Sequence, residues 1–127
     1  MRIVFDTSAW VEYLDGSKIG LKVRNILDDK KNEIFTSIIT LAELASTLKR
    51  LNSDVDFGFK IVIDSSKIIF LNQESAKGAG ILHAETRKKV KDFGMADAII
   101  LVSARELSAK LLTRDSHFKG FKEAILI

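Results

Sequence analysis

Five short apolar runs punctuate the chain: RIVF (2–5), EIFTSI (33–38), KIIFL (67–71), KLLT (110–113) and AILI (124–127). Each is too short for a stable helix, and stretches of helical spacing separate most of them. After the cap residues Asp6, Thr7 and Ser8 come Trp10, Val11 and Leu14. Residues 18–29 place Ile19, Val23, Ile26 and Leu27 on one side, and residues 39–51 align Leu41, Leu44, Ala45, Leu48 and Leu51. Residues 54–64 are ambiguous between strand and helix, with helix preferred. Asn72 caps an expected long helix over 73–91, and Gly94 precedes a helix over 95–107 that is apolar almost all round. Short strands alternating with helices predict βα units around a parallel sheet covered on both faces. The expected fold is therefore α/β, a three-layer α/β/α domain with a mainly parallel sheet. No linker or repeat interrupts it, so residues 1–127 read as a single domain.

Composition narrows the chemistry. With no Cys there is no disulfide framework, no Cys-ligated zinc and no thiol nucleophile. No run approaches the roughly 20 apolar residues of a membrane span. The opening MRIVFDTSAWVEYL carries a charge at Asp6 and does not read as a signal peptide, so a cytoplasmic location is expected.

Two of the strands run into aspartates. RIVF ends at Asp6, and KLLT passes through Arg114 into Asp115. Parallel sheets bind ligands beyond the carboxyl ends of their strands, where strand order reverses. Singly, each aspartate also reads as a helix cap or turn residue. Asp97 sits among Met95, Ala96, Ala98, Ile99 and Ile100, so it faces either a cleft wall or the first-turn helix dipole. Glu43 lies off the Leu41, Leu44 and Leu48 stripe, close in azimuth to Thr40, Thr47 and Arg50. That placement suits a solvated face, or a helix whose polar side borders a cleft. Carboxylates meeting in one place repel unless a divalent cation joins them, and hard cations prefer oxygen ligands. Such a centre activates water for phosphodiester hydrolysis without a Ser, Cys or His nucleophile.

In order and spacing, MRIVFDTSAWVEYL, TSIITLAELASTLKR, GMADAIILVSA and LLTRDSHFKGF resemble the PIN-domain ribonucleases, most closely the VapC-type toxins of toxin–antitoxin pairs. The resemblance implies that Asp6, Glu43, Asp97 and Asp115 bind one or two Mg²⁺ or Mn²⁺ ions for endonucleolytic RNA cleavage. It gives supporting roles to Thr7, Ser8 and Thr113. It also implies a homodimer, with the first helical region contributing to the contact, and a cognate antitoxin protein. Some relatives carry a further acid where this chain has His117, which is not expected to be a ligand but to stand at a cleft edge or the surface. His83, on a long helix, carries no expected role.

Arg87, Lys88, Lys89 and Lys91 form a basic cluster expected to end a helix, where the dipole favours cations. Arg87, Lys88 and Arg114 are candidate RNA phosphate contacts, with Lys49 and Arg50 comparable. Trp10 and Tyr13 suit base stacking, core or interface, and the Phe residues are most simply core. The favoured function is a metal-dependent endoribonuclease. The alternatives are an RNA- or protein-binding module without turnover and a phospho-accepting receiver, which lacks its paired acids after the first strand. If four of 17 acids gather at metal, 13 face 20 Lys and Arg, and the overall +3 conceals a +7 exterior.

Overall fold

Apolar residues that alternate along RIVF, EIFTS and KLLT are buried on both sides, because these runs become the middle of a parallel sheet. The protein is described by a computed structural model covering residues 1–127. Its elements are β1 (Arg2–Phe5), α1 (Thr7–Asp15), α2 (Lys18–Asp28), β2 (Glu33–Ser37), α3 (Ile38–Arg50) and α4 (Val55–Ser65). Then come β3 (Lys67–Ile69), α5 (Gln73–Thr86), α6 (Met95–Glu106), β4 (Lys110–Thr113), one 3-10 turn (Ser116–Phe118) and β5 (Ala124–Leu126). The strands lie in the order β3-β2-β1-β4-β5, and every pair is parallel. Strand order reverses at β1, which pairs with β2 on one side and β4 on the other. A crevice therefore opens beyond the ends of β1 and β4.

Successive side chains of the central strands feed two separate cores. Ile3, Phe5, Ile34 and Leu112 point to one face, where Trp10 of α1, Val23 of α2, Leu44 and Leu48 of α3 and Val62 of α4 cover them. Val4, Phe35 and Leu111 point to the other, beneath Ala98, Ile100, Leu101 and Ala104 of α6. Helix α5 packs on α6, which also touches β1, β4 and α3. Covered on so many sides, α6 can be apolar nearly all round. No helix is long and apolar enough to cross a membrane.

Local caps set the helix starts. Side-chain oxygens of Asp6, Ser17, Ser37, Asp54 and Asn72 accept backbone N–H groups at the first turns of α1 to α5. Gly16 ends α1 at φ 72°, a left-handed conformation that glycine adopts without strain. At Gly20 a Cβ would lie 2.1 Å from the Glu12 carbonyl oxygen, so only glycine lets α2 approach α1 this closely.

Several expectations are corrected. The strand expected over 67–71 ends at Ile69, and Phe70 beyond it is 73% exposed. With Phe57 at 55% exposed, not every Phe serves the core. The helix expected to reach 91 stops at Thr86. A continued helix would stack Arg87 on Lys91, a like-charge pair, whereas turning there carries Val90 and Phe93 into the second core. The basic cluster thus occupies the α5–α6 connection. Trp10 is fully buried; its Nε1 donates to Thr36 Oγ1 at 3.1 Å, so it is core and not a stacking platform. Tyr13 packs edge-on against it at 5.9 Å.

Candidate active site

The crevice at the ends of β1 and β4 collects acids from four segments. Asp6 leaves β1 buried, with each oxygen engaged: Thr7 N–H donates to Oδ1 at 2.7 Å and the Thr113 hydroxyl to Oδ2 at 2.7 Å. Thr113 ends β4, and its Oγ1 also accepts the Asp115 N–H at 2.9 Å. One hydroxyl therefore ties the two strand-end aspartates together. Ser8 Oγ lies 3.4 Å from both Asp6 Oδ2 and Thr113 Oγ1, and accepts the Arg114 N–H at 2.9 Å.

Glu43 reaches the crevice from α3. The Thr7 hydroxyl donates to its Oε1 at 3.0 Å, so the polar face of that helix borders the site and not bulk solvent alone. Asp97 opens α6 and serves as both readings of the sequence allow. Its Oδ2 accepts the Gly94 N–H at 2.8 Å in a capping-box contact, and it also faces Asp115 and His117. Ligand atoms of Asp97, Asp115 and His117 all lie within 4.8 Å of one another. Asp6 and Glu43 stand outside that tight group yet within its electric field.

That field is legible in the carboxyl groups. Burial raises the pKa of Asp6, opposed by the bonds from Thr113 and Thr7 and reinforced by the charges of Asp97 and Asp115. Burial likewise raises Glu43, with Thr7 opposing and Asp6, Asp97 and Asp115 adding to the rise. Asp97 is raised by burial, lowered by Gly94 and the His117 imidazole, and raised again by Asp115. Acids crowded and desolvated in this way favour the protonated form unless positive charge joins them. The donor set, carboxylate oxygens with one imidazole nitrogen, fits a divalent cation.

Two clefts flank the acids. One, about 390 Å³, is bordered by Thr7, Glu43, Thr47 and Arg50. The other, about 350 Å³, is bordered by His117, Phe121, Thr86 and Lys89. Two of the candidate phosphate contacts are otherwise employed. Arg114 forms an ion pair with Glu12 of α1, whose carboxyl is held low by the Ser17 hydroxyl and by Arg114. Arg87 reaches the Phe93 carbonyl at 3.5 Å, and neither it nor Lys88 borders these clefts. Two features are absent from the sequence pattern. Lys89, and not its neighbours Arg87 and Lys88, lines a cleft. His117, expected at a cleft edge or the surface and not as a ligand, does line a cleft, but it also joins the acids through a 3-10 turn whose bend three residues of sequence do not announce; its spacing of two from Asp115 is the only signal.

The PIN domain family model matches residues 3–124. No curated protein sequence matches significantly. The fold superimposes on a toxin–antitoxin complex from Klebsiella pneumoniae with a TM-score of 0.72 at 24% identity, covering 97% of this chain and 95% of that one. VapBC2 from Rickettsia felis, bound to a DNA fragment from its promoter, gives 0.75 at 22% identity, with 100% and 98% covered. Mycobacterium tuberculosis VapC20, a sarcin-ricin loop cleaving toxin, gives 0.75 at 17% identity, with 95% and 97% covered. At these identities the likeness is one of fold.

Proposed function

The chain belongs to the PIN domain family, and on that premise we propose that residues 1–127 form one metal-dependent endoribonuclease domain, the toxin half of a toxin–antitoxin pair. The observation that carries this reading is the convergence of Asp6, Glu43, Asp97 and Asp115 at the strand-order reversal, with three of their pKa values raised. Together they hold one or two Mg²⁺ or Mn²⁺ ions. When bound, such a cation supplies an activated water and offsets charge developing on the phosphate.

The protein's own groups prepare that chemistry. Thr113 and Thr7 fix both oxygens of Asp6, Thr113 also sets the backbone of Asp115, and Thr7 orients Glu43. An RNA backbone is repelled by these acids alone, so binding at the centre requires the cation. Arg50 and Lys89, one in each flanking cleft, contact phosphates on either side of the scissile bond. Away from the acids, Val11, Leu14, Leu48, Leu51 and Phe57 line an apolar groove of about 410 Å³ between α1, α3 and α4. That groove seats the antitoxin, in keeping with neighbours that were solved as toxin–antitoxin complexes. The protein acts in the cytoplasm as a homodimer.

The test is cleavage of single-stranded and structured RNA with and without Mn²⁺. Wild-type protein cleaves only with the cation, and Asp97→Asn abolishes cleavage while unfolding within a few degrees of wild type. Undiminished cation-dependent cleavage by Asp97→Asn overturns the assignment. Salt-sensitive RNA binding with neither cation binding nor cleavage would indicate a binding module instead.

A further inference from the structure

His117 is left without a task by the reaction as proposed. Its Nδ1 is shielded from solvent and takes part in no hydrogen bond. It stands 3.2 Å from Asp115 Oδ1 and 3.8 Å from Asp97 Oδ2. Buried polar atoms normally find partners, so an orphaned ring nitrogen facing two carboxylates calls for a reason. Those oxygens are already positioned by backbone donors: the His117 N–H reaches Asp115 Oδ1 at 2.8 Å, and the Gly94 N–H reaches Asp97 Oδ2 at 2.8 Å. The turn that carries the ring is anchored as well. The next residue, Phe118, is fully buried and packs edge-on against Phe93 at 5.8 Å, which pins the 3-10 turn carrying His117.

Donors sharing one small divalent ion at about 2.1 Å stand about 3 to 3.5 Å apart. The His117–Asp115 separation falls in that range, and the His117–Asp97 separation exceeds it by a few tenths of an ångström. Ligand type then decides between ions. Mg²⁺ takes oxygen ligands and waters, whereas imidazole favours first-row transition ions. Resting on the metal-dependent reading above, we infer that His117 ligates the cation through Nδ1, making a mixed nitrogen–oxygen centre that prefers Mn²⁺ and later first-row ions to Mg²⁺. Nε2 then carries the ring proton.

The experiment is pulsed EPR of the full chain loaded with Mn²⁺, together with calorimetric titration by MnCl₂ and by MgCl₂. The expected spectrum shows hyperfine coupling to a directly bound nitrogen. That coupling persists in His83→Gln, a change at the only other histidine, and is lost in His117→Gln and His117→Asp. His117→Gln weakens Mn²⁺ binding by on the order of 10- to 100-fold while changing Mg²⁺ binding by less than about threefold. His117→Asp, trading nitrogen for oxygen, binds both ions and levels the preference. Bound Mn²⁺ without nitrogen coupling in wild type overturns the inference and leaves a carboxylate-only centre standing. An unchanged Mn²⁺ to Mg²⁺ preference in folded His117→Gln overturns it equally. Failure of wild type to bind Mn²⁺ removes the metal-dependent reading and this inference together. Should both His117 variants fail to fold, the wild-type spectrum alone decides.

Discussion

The neighbouring strands β1 and β4 both run into an aspartate that caps the turn beyond, yet the two aspartates are held differently. Asp6 is buried, with Thr7 and Thr113 engaging both oxygens. Asp115 is partly open and gives one oxygen to the His117 N–H. The contrast originates in the segment downstream of each acid. After Asp6 comes a nine-residue helix that drives Trp10 into the core and draws its cap down with it. After Asp115 comes a single 3-10 turn, which leaves its cap at the rim. A strand-end acid thus becomes a fixed floor when a buried helix succeeds it, and an accessible ligand when only a turn does.

The largest effects should separate the two acids. Asp6→Ala and Asp115→Ala both abolish cleavage, but Asp6→Ala also takes from the Thr113 hydroxyl and the Thr7 N–H the carboxylate that accepts from them both. That costs about 1–3 kcal/mol, against about 1 kcal/mol or less for the cap lost at Asp115. Equal melting temperatures for the two variants would erase the distinction. Next comes the hydroxyl that joins them. Thr113→Val keeps the shape and should lower stability by about 1–3 kcal/mol and cleavage by on the order of 10- to 100-fold, with Thr113→Ser restoring most of both. Full activity in the valine variant would show that the link does not position the acids.

A smaller effect concerns pH. Asp6, Glu43 and Asp97 have pKa values raised on folding, so without divalent cations the fold is favoured most when they are protonated. Their contribution to stability should be fully present below the ordinary carboxylate range and be lost as pH climbs through the raised values, whereas Glu12, Glu33 and Glu123, held low, contribute in the opposite sense. Adding Mn²⁺ should flatten that decline. A cation-free stability of wild type relative to Asp97→Asn that rises between pH 4 and 7 would contradict the sign. The smallest effect separates the basic residues. Arg114→Ala should change stability by less than about 1 kcal/mol and cleavage little, because its exposed pair with Glu12 is weakly stabilising. Lys89→Ala should weaken RNA binding across sequences and reduce its salt slope by about one. The reverse ranking, read by binding isotherms at several salt concentrations, would move the RNA path to the α1 side.

Periodicity made the layered architecture legible, because Ile3, Val4 and Phe5 alternate between two cores as the apolar runs require. The strand-end acids were legible for the same reason, since each run stops at a carboxylate. Glu43 was not legible from pattern alone: a cleft-facing helix side and a solvated one carry the same polar residues, and only Thr7 opposite it tells them apart. The stop of α5 at Thr86 depended on Val90 and Phe93 finding places in a core assembled from distant segments. His117 was hidden because a 3-10 turn has no sequence period with which to reveal its direction.

The Thr113–Asp6 bond spans 107 residues of chain, and β4 inserts between β1 and β5 only after nearly the whole protein has been made. Contacts this distant in sequence form late, because a long loop must close before they contribute. During synthesis the Thr7–Glu43 contact needs no part of β4, but Asp6 and Asp115 are joined only once Thr113 has emerged. A chain that ends before Thr113 therefore lacks both Asp115 and the hydroxyl that ties it to Asp6, and the four acids meet only when β4 is in place.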